Sequence, residues 1–562
     1  VRYSLEFSAA RRHDLQVEVG LSGLPGPRLV LWLPTWTAGL YHLENYAREV
    51  FAFQARDASG HSLPWRKTGP STWEVEGQGE ITVRYQVRCA RFPRWLDEEG
   101  GFLDLAGVLM APEGAEDRPC RLHLELPPGW GVGFPGPADP EGYARGSYLQ
   151  MIDSPLLLGR LREFAFSAGG RPHRLVLQGY GLEGAGRLVE HARALVDGYG
   201  RLMGGLPYDS YTFFVRLEPD DYFLEHFDSS VVALEAPASD HPEDLEPLLR
   251  QMSHEFFHVW NVERLRPAAL VPLDLRRPQP TRLLWWFEGV TYYYESLMLA
   301  RVGSIPAEQF YRILSDQISE QETWWPAARE VGLEDASLNA WLYPSALFDA
   351  NLTTDYYLKG ALVALLLDVE LRHRTDGQRS LDDLVRLLYR RWGPGTSGLS
   401  EEALEEAASE VAGGSLEEFF RACVRGTQAL PYREALDYLG LDLVEETPSG
   451  ASLGIRFQDA DGGGLRLLAV VRGRPAYEAG LLPGDVLIEL GGRALDGGKD
   501  LGAALEGRAP GEAVRVKVRR SGRVLEVPVV LGARPSTWKV RPLPGASPAQ
   551  VRARRAWLWQ EG

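Results

Sequence analysis

Cysteine is scarce: three residues in 562, Cys89, Cys120 and Cys423, scattered and without C-x-x-C spacing. That excludes a disulfide framework and a thiolate zinc knuckle, and the odd count fits a reducing compartment. Long apolar runs are also missing, since nothing approaches the ~18 uninterrupted residues of a bilayer span. The first residues, Val1 to Phe7, alternate like a strand and offer no signal-peptide apolar core. A cytoplasmic location without a membrane span is therefore expected, although the missing Met leaves a trimmed leader open. Basic charge is in deficit, and a net charge of −17 argues against a nucleic-acid partner. Core-forming residues are plentiful: 44% hydrophobic against 24% charged is a globular mix. A chain of 562 residues exceeds the roughly 250–300 at which single cores stop growing, so several domains are expected.

From 1 to about 170, short β-like runs such as Leu15 to Val19, Arg28 to Leu33, Ile81 to Val87 and Cys120 to Leu126 are broken by Gly and Pro, which predicts a β-sandwich. Between 171 and 445 helical periodicity dominates, with strand-like stretches at Tyr211 to Val215 and Ser230 to Leu234, the pattern of an α+β domain. Residues 450–533 return to β runs rich in glycine and are long enough for one small domain, leaving 534–562 as a Pro-, Ala- and Arg-rich tail.

The chemistry sits in Gln251 to Arg266, which contains His254-Glu255-x-x-His258. Leu245, Leu248, Leu249 and Met252 recur at helical spacing, with Asp244 as candidate N-cap and Pro247 expected in the first turn. On a helix, i and i+4 lie one above the other, so both imidazoles reach one ion at ~2.0–2.1 Å. Glu255 then faces the same cleft as a general base, because water at neutral pH needs both a metal and a proton acceptor to become a nucleophile. Thirty positions after His258 comes Glu288, which lies among aromatics in Leu284-Trp-Trp-Phe-Glu-Gly-Val-Thr291. A carboxylate there is costly to bury unless a cation neutralises it, which makes Glu288 the third candidate ligand and Glu295 the alternative.

These stretches, with Tyr356 to Asp368, resemble the glycyl aminopeptidase family, relatives of the alanyl aminopeptidases among the gluzincins. Leu33 to Arg48 is similar to the family's N-terminal β-domain signature, and Phe420 to Thr427 to its helical C-terminal part. The resemblance implies a thermolysin-like zinc peptidase domain with a helical extension, one Zn²⁺ per chain on His254, His258 and Glu288, and Glu255 as base. It also implies Tyr357, two positions before Lys359-Gly360, as the donor to the oxyanion. Glu225 in Tyr222-Phe-Leu-Glu-His-Phe-Asp-Ser-Ser230 is the implied partner of a substrate α-amine. Here the family's two glycines are replaced by Tyr222 and Phe223, bulky side chains that either reshape the cleft or pack beneath an edge strand.

Ala451 to Phe457 and Pro475 to Gly492 resemble a bacterial-type PDZ domain, which implies a peptide C-terminus or an intramolecular segment as its ligand. Peptides are the expected substrates, and removal of small N-terminal residues such as Gly or Ala the expected reaction. A zinc endopeptidase is the rival if Tyr222 and Phe223 close the amine site. A PDZ-mediated peptide-binding protein with a structural metal is the second, disfavoured by Glu255, since a structural site needs no base.

Overall fold

The computed structural model of the chain describes residues 1–23, 26–182, 185–218, 221–239, 241–343 and 349–560. Up to residue 160 the alternating runs form three sheets of seven, five and four strands. Strand Asp14–Leu21 shows why: Leu15, Val17, Val19 and Leu21 are buried, and the residues between them are not. A cross-link runs from this β-rich part to the next, because Trp36 is fully buried and its Nε1 donates to the carbonyls of Asp274 (3.2 Å) and Arg277 (2.9 Å).

The second unit opens with a five-stranded sheet in the order Leu161–Ala168, Arg171–Gly179, Tyr211–Leu217, Ser229–Leu234 and Tyr222–His226. The expected boundary at 170 falls in the turn of its first hairpin, since Leu161–Ala168 pairs antiparallel with Arg171–Gly179. Tyr211–Leu217 runs parallel to both of its neighbours and is buried along its whole length, which gives it a continuous apolar reading. Tyr222–His226 forms the edge of the sheet, antiparallel to Ser229–Leu234.

Against this sheet packs the Pro242–Phe257 helix, with Leu245, Leu248, Leu249, Met252 and Phe256 on its buried face. Its start lies earlier than expected: His241 is the N-cap, Asp244 sits in the first turn, and Pro247 is in the interior. Two helices then cross at a pair of glycines. A Cβ on Gly289 would stand 2.6 Å from the Gly360 Cα, and one on Gly360 would stand 2.9 Å from the Gly289 Cα. Only glycine permits this approach between the π-helical turn Trp285–Val290 and the helix Leu358–Arg374.

The third unit is threaded through a stalk. Strand Leu441–Glu446 leaves the helical part, and strand Thr537–Pro542 returns antiparallel to it. Between them the glycine-rich segment forms its own sheet around a separate core that includes Leu465, Leu487, Val516 and Val518. The segment after residue 534 is structured and docked. Helix Pro548–Trp557 places Trp557 fully buried, 5.2 Å from the Phe310 ring, with Nε1 donating to Tyr293 Oη at 2.7 Å. Among the described residues no helix is long and apolar enough to cross a membrane.

Candidate metal centre and substrate cleft

His254 and His258 project from the last turn and C-cap of the Pro242–Phe257 helix, and Glu288 from the π-helical turn that follows in the chain. All three are buried. Glu288 Oε2 lies 3.5 Å from His254 Nε2 and 3.4 Å from His258 Nε2. Four ligands at zinc-like bond lengths of ~2.0–2.1 Å sit about 3.4 Å apart around a tetrahedron, so the two measured edges fit one ion between these atoms.

The far side of each imidazole is fixed. His254 Nδ1 pairs with Glu295 Oε2 at 2.9 Å, and His258 Nδ1 with the Asn261 carbonyl at 2.8 Å, which leaves both Nε2 atoms to face Glu288. Glu295 is therefore not a ligand here. Arg250 holds its other oxygen with two bonds of 2.9 and 2.6 Å. Asn261 ties the two halves together, its Nδ2 donating to the Phe287 carbonyl (3.2 Å) and Thr291 Oγ1 (3.1 Å). Burial alone would raise the Glu288 carboxyl, but the charge of His258 and the hydrogen bonds of both imidazoles hold it down at about 2.

Glu255 and Glu225 complete the floor, and their carboxylates lie within 4.8 Å of each other and of a His258 ring nitrogen. Burial pushes Glu255 up to about 7 and Glu225 up to about 8. Glu225 Oε1 is buried with no hydrogen-bond partner among the described residues. Tyr357, immediately before the Leu358–Arg374 helix, is partly exposed, its ring 6.2 Å from that of His254. Asp355 Oδ1 accepts from the backbone N–H of Tyr357 at 2.8 Å and of Leu358 at 3.2 Å, fixing the start of that helix.

Tyr222 does not enter the cleft. Its ring stands edge-on to Phe92 (4.9 Å) and Phe102 (5.8 Å) of the β-rich part, while Phe223 packs on the main core. Tyr222 belongs to the seam between units, whereas the partly buried Phe223 alternates with it and lies on the same face of the strand as Glu225. The β-rich part instead brings residues that motif reading passed over. A Cβ on Gly39 would fall 2.7–2.8 Å from both Glu225 oxygens, so bare backbone walls this carboxylate. Two residues on, Tyr41 is held at φ 47, buried, its hydroxyl without a partner among the described residues. A bulky residue in that backbone region is strained, and the Gly-Leu-Tyr run was the only signal for it.

Residues 2–160 match the M61 peptidase N-terminal domain, 248–363 the M61 glycyl aminopeptidase domain and 451–531 a PDZ domain. The chain carries both M61 domains and a PDZ domain. No curated protein matches the chain by sequence. Its fold is that of an aminopeptidase N family protein from Idiomarina loihiensis, with a TM-score of 0.91 at 24% identity over 99% of each chain. An M1 zinc metallopeptidase from Deinococcus radiodurans is similar at a TM-score of 0.48 and 16% identity, over 76% of this chain and 94% of the other.

Proposed function

We propose that the chain is a zinc aminopeptidase removing small N-terminal residues, such as Gly or Ala, from peptides, with one zinc held by His254, His258 and Glu288. The observation that carries the exopeptidase reading is Glu225: a buried carboxyl with one oxygen unpartnered, beside a second buried carboxyl and raised to about 8 by burial, ionises at neutral pH only when a cation joins it. A substrate α-ammonium is that cation, and an endopeptidase has no use for the anion. The bare Gly39 backbone against Glu225, with buried Tyr41 close by in sequence, supports a small first residue.

When bound, zinc supplies Lewis acidity toward water and the scissile carbonyl. Glu225 holds the ammonium and so sets the register of the first peptide bond. Glu255, raised toward neutrality, accepts a proton from the attacking water and returns it to the leaving amine. Tyr357 donates its hydroxyl proton as a hydrogen bond to the oxygen that gains negative charge. For the PDZ domain we favour a peptide C-terminus supplied by another molecule, since the helix that follows the domain is docked on the catalytic part. Three buried free cysteines suit the cytoplasm.

The decisive measurement is hydrolysis of one short peptide with a free and with an acetylated N-terminus, zinc content being assayed on the same sample. Acetylation leaves Glu225 unpaired and is expected to lower kcat/KM on the order of 10²-fold or more. Equal cleavage of both forms would favour an endopeptidase. Glu255→Gln is expected to retain zinc and lose turnover; substantial activity in that variant would remove Glu255 from the mechanism.

A further inference from the structure

At the junction of the helical part and the PDZ domain lies a cavity of about 260 Å³, away from the metal ligands. Its walls carry Lys359 and Arg329 from the catalytic part and Arg472 and Arg474 from the PDZ domain, against one lining carboxylate among the described residues, Glu322. In a chain of net charge −17 this is a local excess of positive charge.

Part of that charge is spoken for. Arg472 pairs with Glu330 at 2.7 Å, while Glu322 accepts from Tyr432 Oη at 3.0 Å and stands 3.9 Å from Arg329. Lys359 and Arg474 have no carboxylate partner among the described residues. The buried Lys359 Nζ donates to the Ala328 carbonyl at 3.2 Å, and the Arg474 guanidinium to the Thr323 carbonyl at 3.3 Å. The Arg474 stem fills the space beside Gly454, so its head is aimed by the PDZ turn. The charge of Glu322 reaches Lys359 across the cavity without an ion pair, burial still lowers the ammonium to about 8, and an anion in the cavity offsets that cost.

We propose that this cavity binds a small oxyanion, a carboxylate or a phosphoryl-type group, between Lys359 and Arg474. The occupant bridges two units. Lys359 follows Tyr357 by two residues; six residues before Tyr357, Asn351 donates to the Val470 carbonyl at 2.9 Å and accepts from Arg472 N at 2.7 Å. An anion held by Lys359 and Arg474 adds a second tie between the PDZ domain and the helix that begins at Tyr357.

The test is calorimetric titration of the full, zinc-loaded chain with sodium succinate and with sodium sulfate, in sodium chloride at constant ionic strength. Saturable one-site binding is expected, weakened at least ~10-fold in Lys359→Met and in Arg474→Gln, because both remove a charge-assisted donor. Tighter succinate assigns the site to carboxylates, and tighter sulfate to phosphoryl-type groups. Should Lys359→Met fail to fold, the partly exposed Arg474→Gln carries the test alone. No saturable binding of either anion, or undiminished binding in Arg474→Gln, overturns the proposal. Turnover is not read, so that outcome leaves the aminopeptidase reading where it stands.

Discussion

Glu295 shows how much a metal centre owes to residues that do not touch the metal. It orients His254 from behind and is itself held by Arg250, so Glu295→Gln is expected to weaken zinc binding on the order of 10–100-fold while leaving Glu288 in place. Competition with a chromogenic chelator measures this, and an unchanged zinc affinity would make the contact purely structural. Tyr41 is the other residue whose role comes from place alone. Its buried hydroxyl follows the Gly39 wall of the Glu225 site, and Tyr41→Phe is expected to lower kcat/KM roughly tenfold, the worth of one hydrogen bond made to bound substrate. Wild-type kinetics in that variant would leave it a packed, strained aromatic. Neither residue could be read from spacing. His254 and His258 could, because the helix period alone brings i and i+4 together, and Glu288 could because an acidic residue among tryptophans needs a neutralising partner. The sequence offers Glu295 only as an alternative ligand and Tyr41 only as part of a Gly-Leu-Tyr run, because what each side chain touches is set by tertiary placement.

The elements that hold the site meet through absence of side chains. At the crossing of Trp285–Val290 and Leu358–Arg374, Gly289 and Gly360 let backbone touch backbone, which brings the Glu288 turn beside the helix that starts at Tyr357. Gly360→Ala would force the two apart or strain them, a cost of about 1–3 kcal/mol by analogy with overpacked cores, with kcat falling as Glu288 and Tyr357 lose register. Chemical denaturation and steady-state kinetics on the same variant test both halves. Wild-type kcat would show that the crossing tolerates a methyl group. Helical periodicity is legible over Tyr357 to Arg374, but the π-helical turn is not, since Leu284 to Thr291 reads only as an apolar, aromatic stretch around Glu288. Pro247 was misplaced for a related reason: a proline was assigned to a first turn, and the packing of Leu245, Leu248 and Leu249 extends the helix past it on both sides.

At the scale of the molecule, the PDZ domain is an insertion on a two-stranded stalk, and the segment after it closes the helical core. Trp557 packs tilted against Phe310 and donates to Tyr293, and the Arg301 guanidinium donates to its carbonyl at 2.9 Å. Trp557→Ala is expected to cost about 3–5 kcal/mol of stability, read as a lower urea midpoint, whereas excising 450–533 and joining the stalk strands with a short linker leaves the zinc-loaded core folded. An unaffected midpoint in Trp557→Ala would make the closing helix ornamental. The three-unit order was legible from composition, because glycine-rich β runs differ from helical periodicity over tens of residues. The closing helix was not legible, because a short Pro-, Ala- and Arg-rich segment with three tryptophans reads equally well as an exposed tail.

The position of Trp557 in the chain has a consequence for biosynthesis. Translation proceeds toward the C-terminus at roughly 5–20 residues per second, and domains fold as they emerge. The β-rich unit can close on the ribosome, and so can the PDZ domain once residue 533 is clear. The helices bearing His254, Glu288 and Tyr357 must wait for residue 557, about 110 residues after the stalk first leaves them, before Tyr293 and Arg301 meet their partners. The nascent enzyme therefore completes its catalytic core last, after the module that sits beside it is already made.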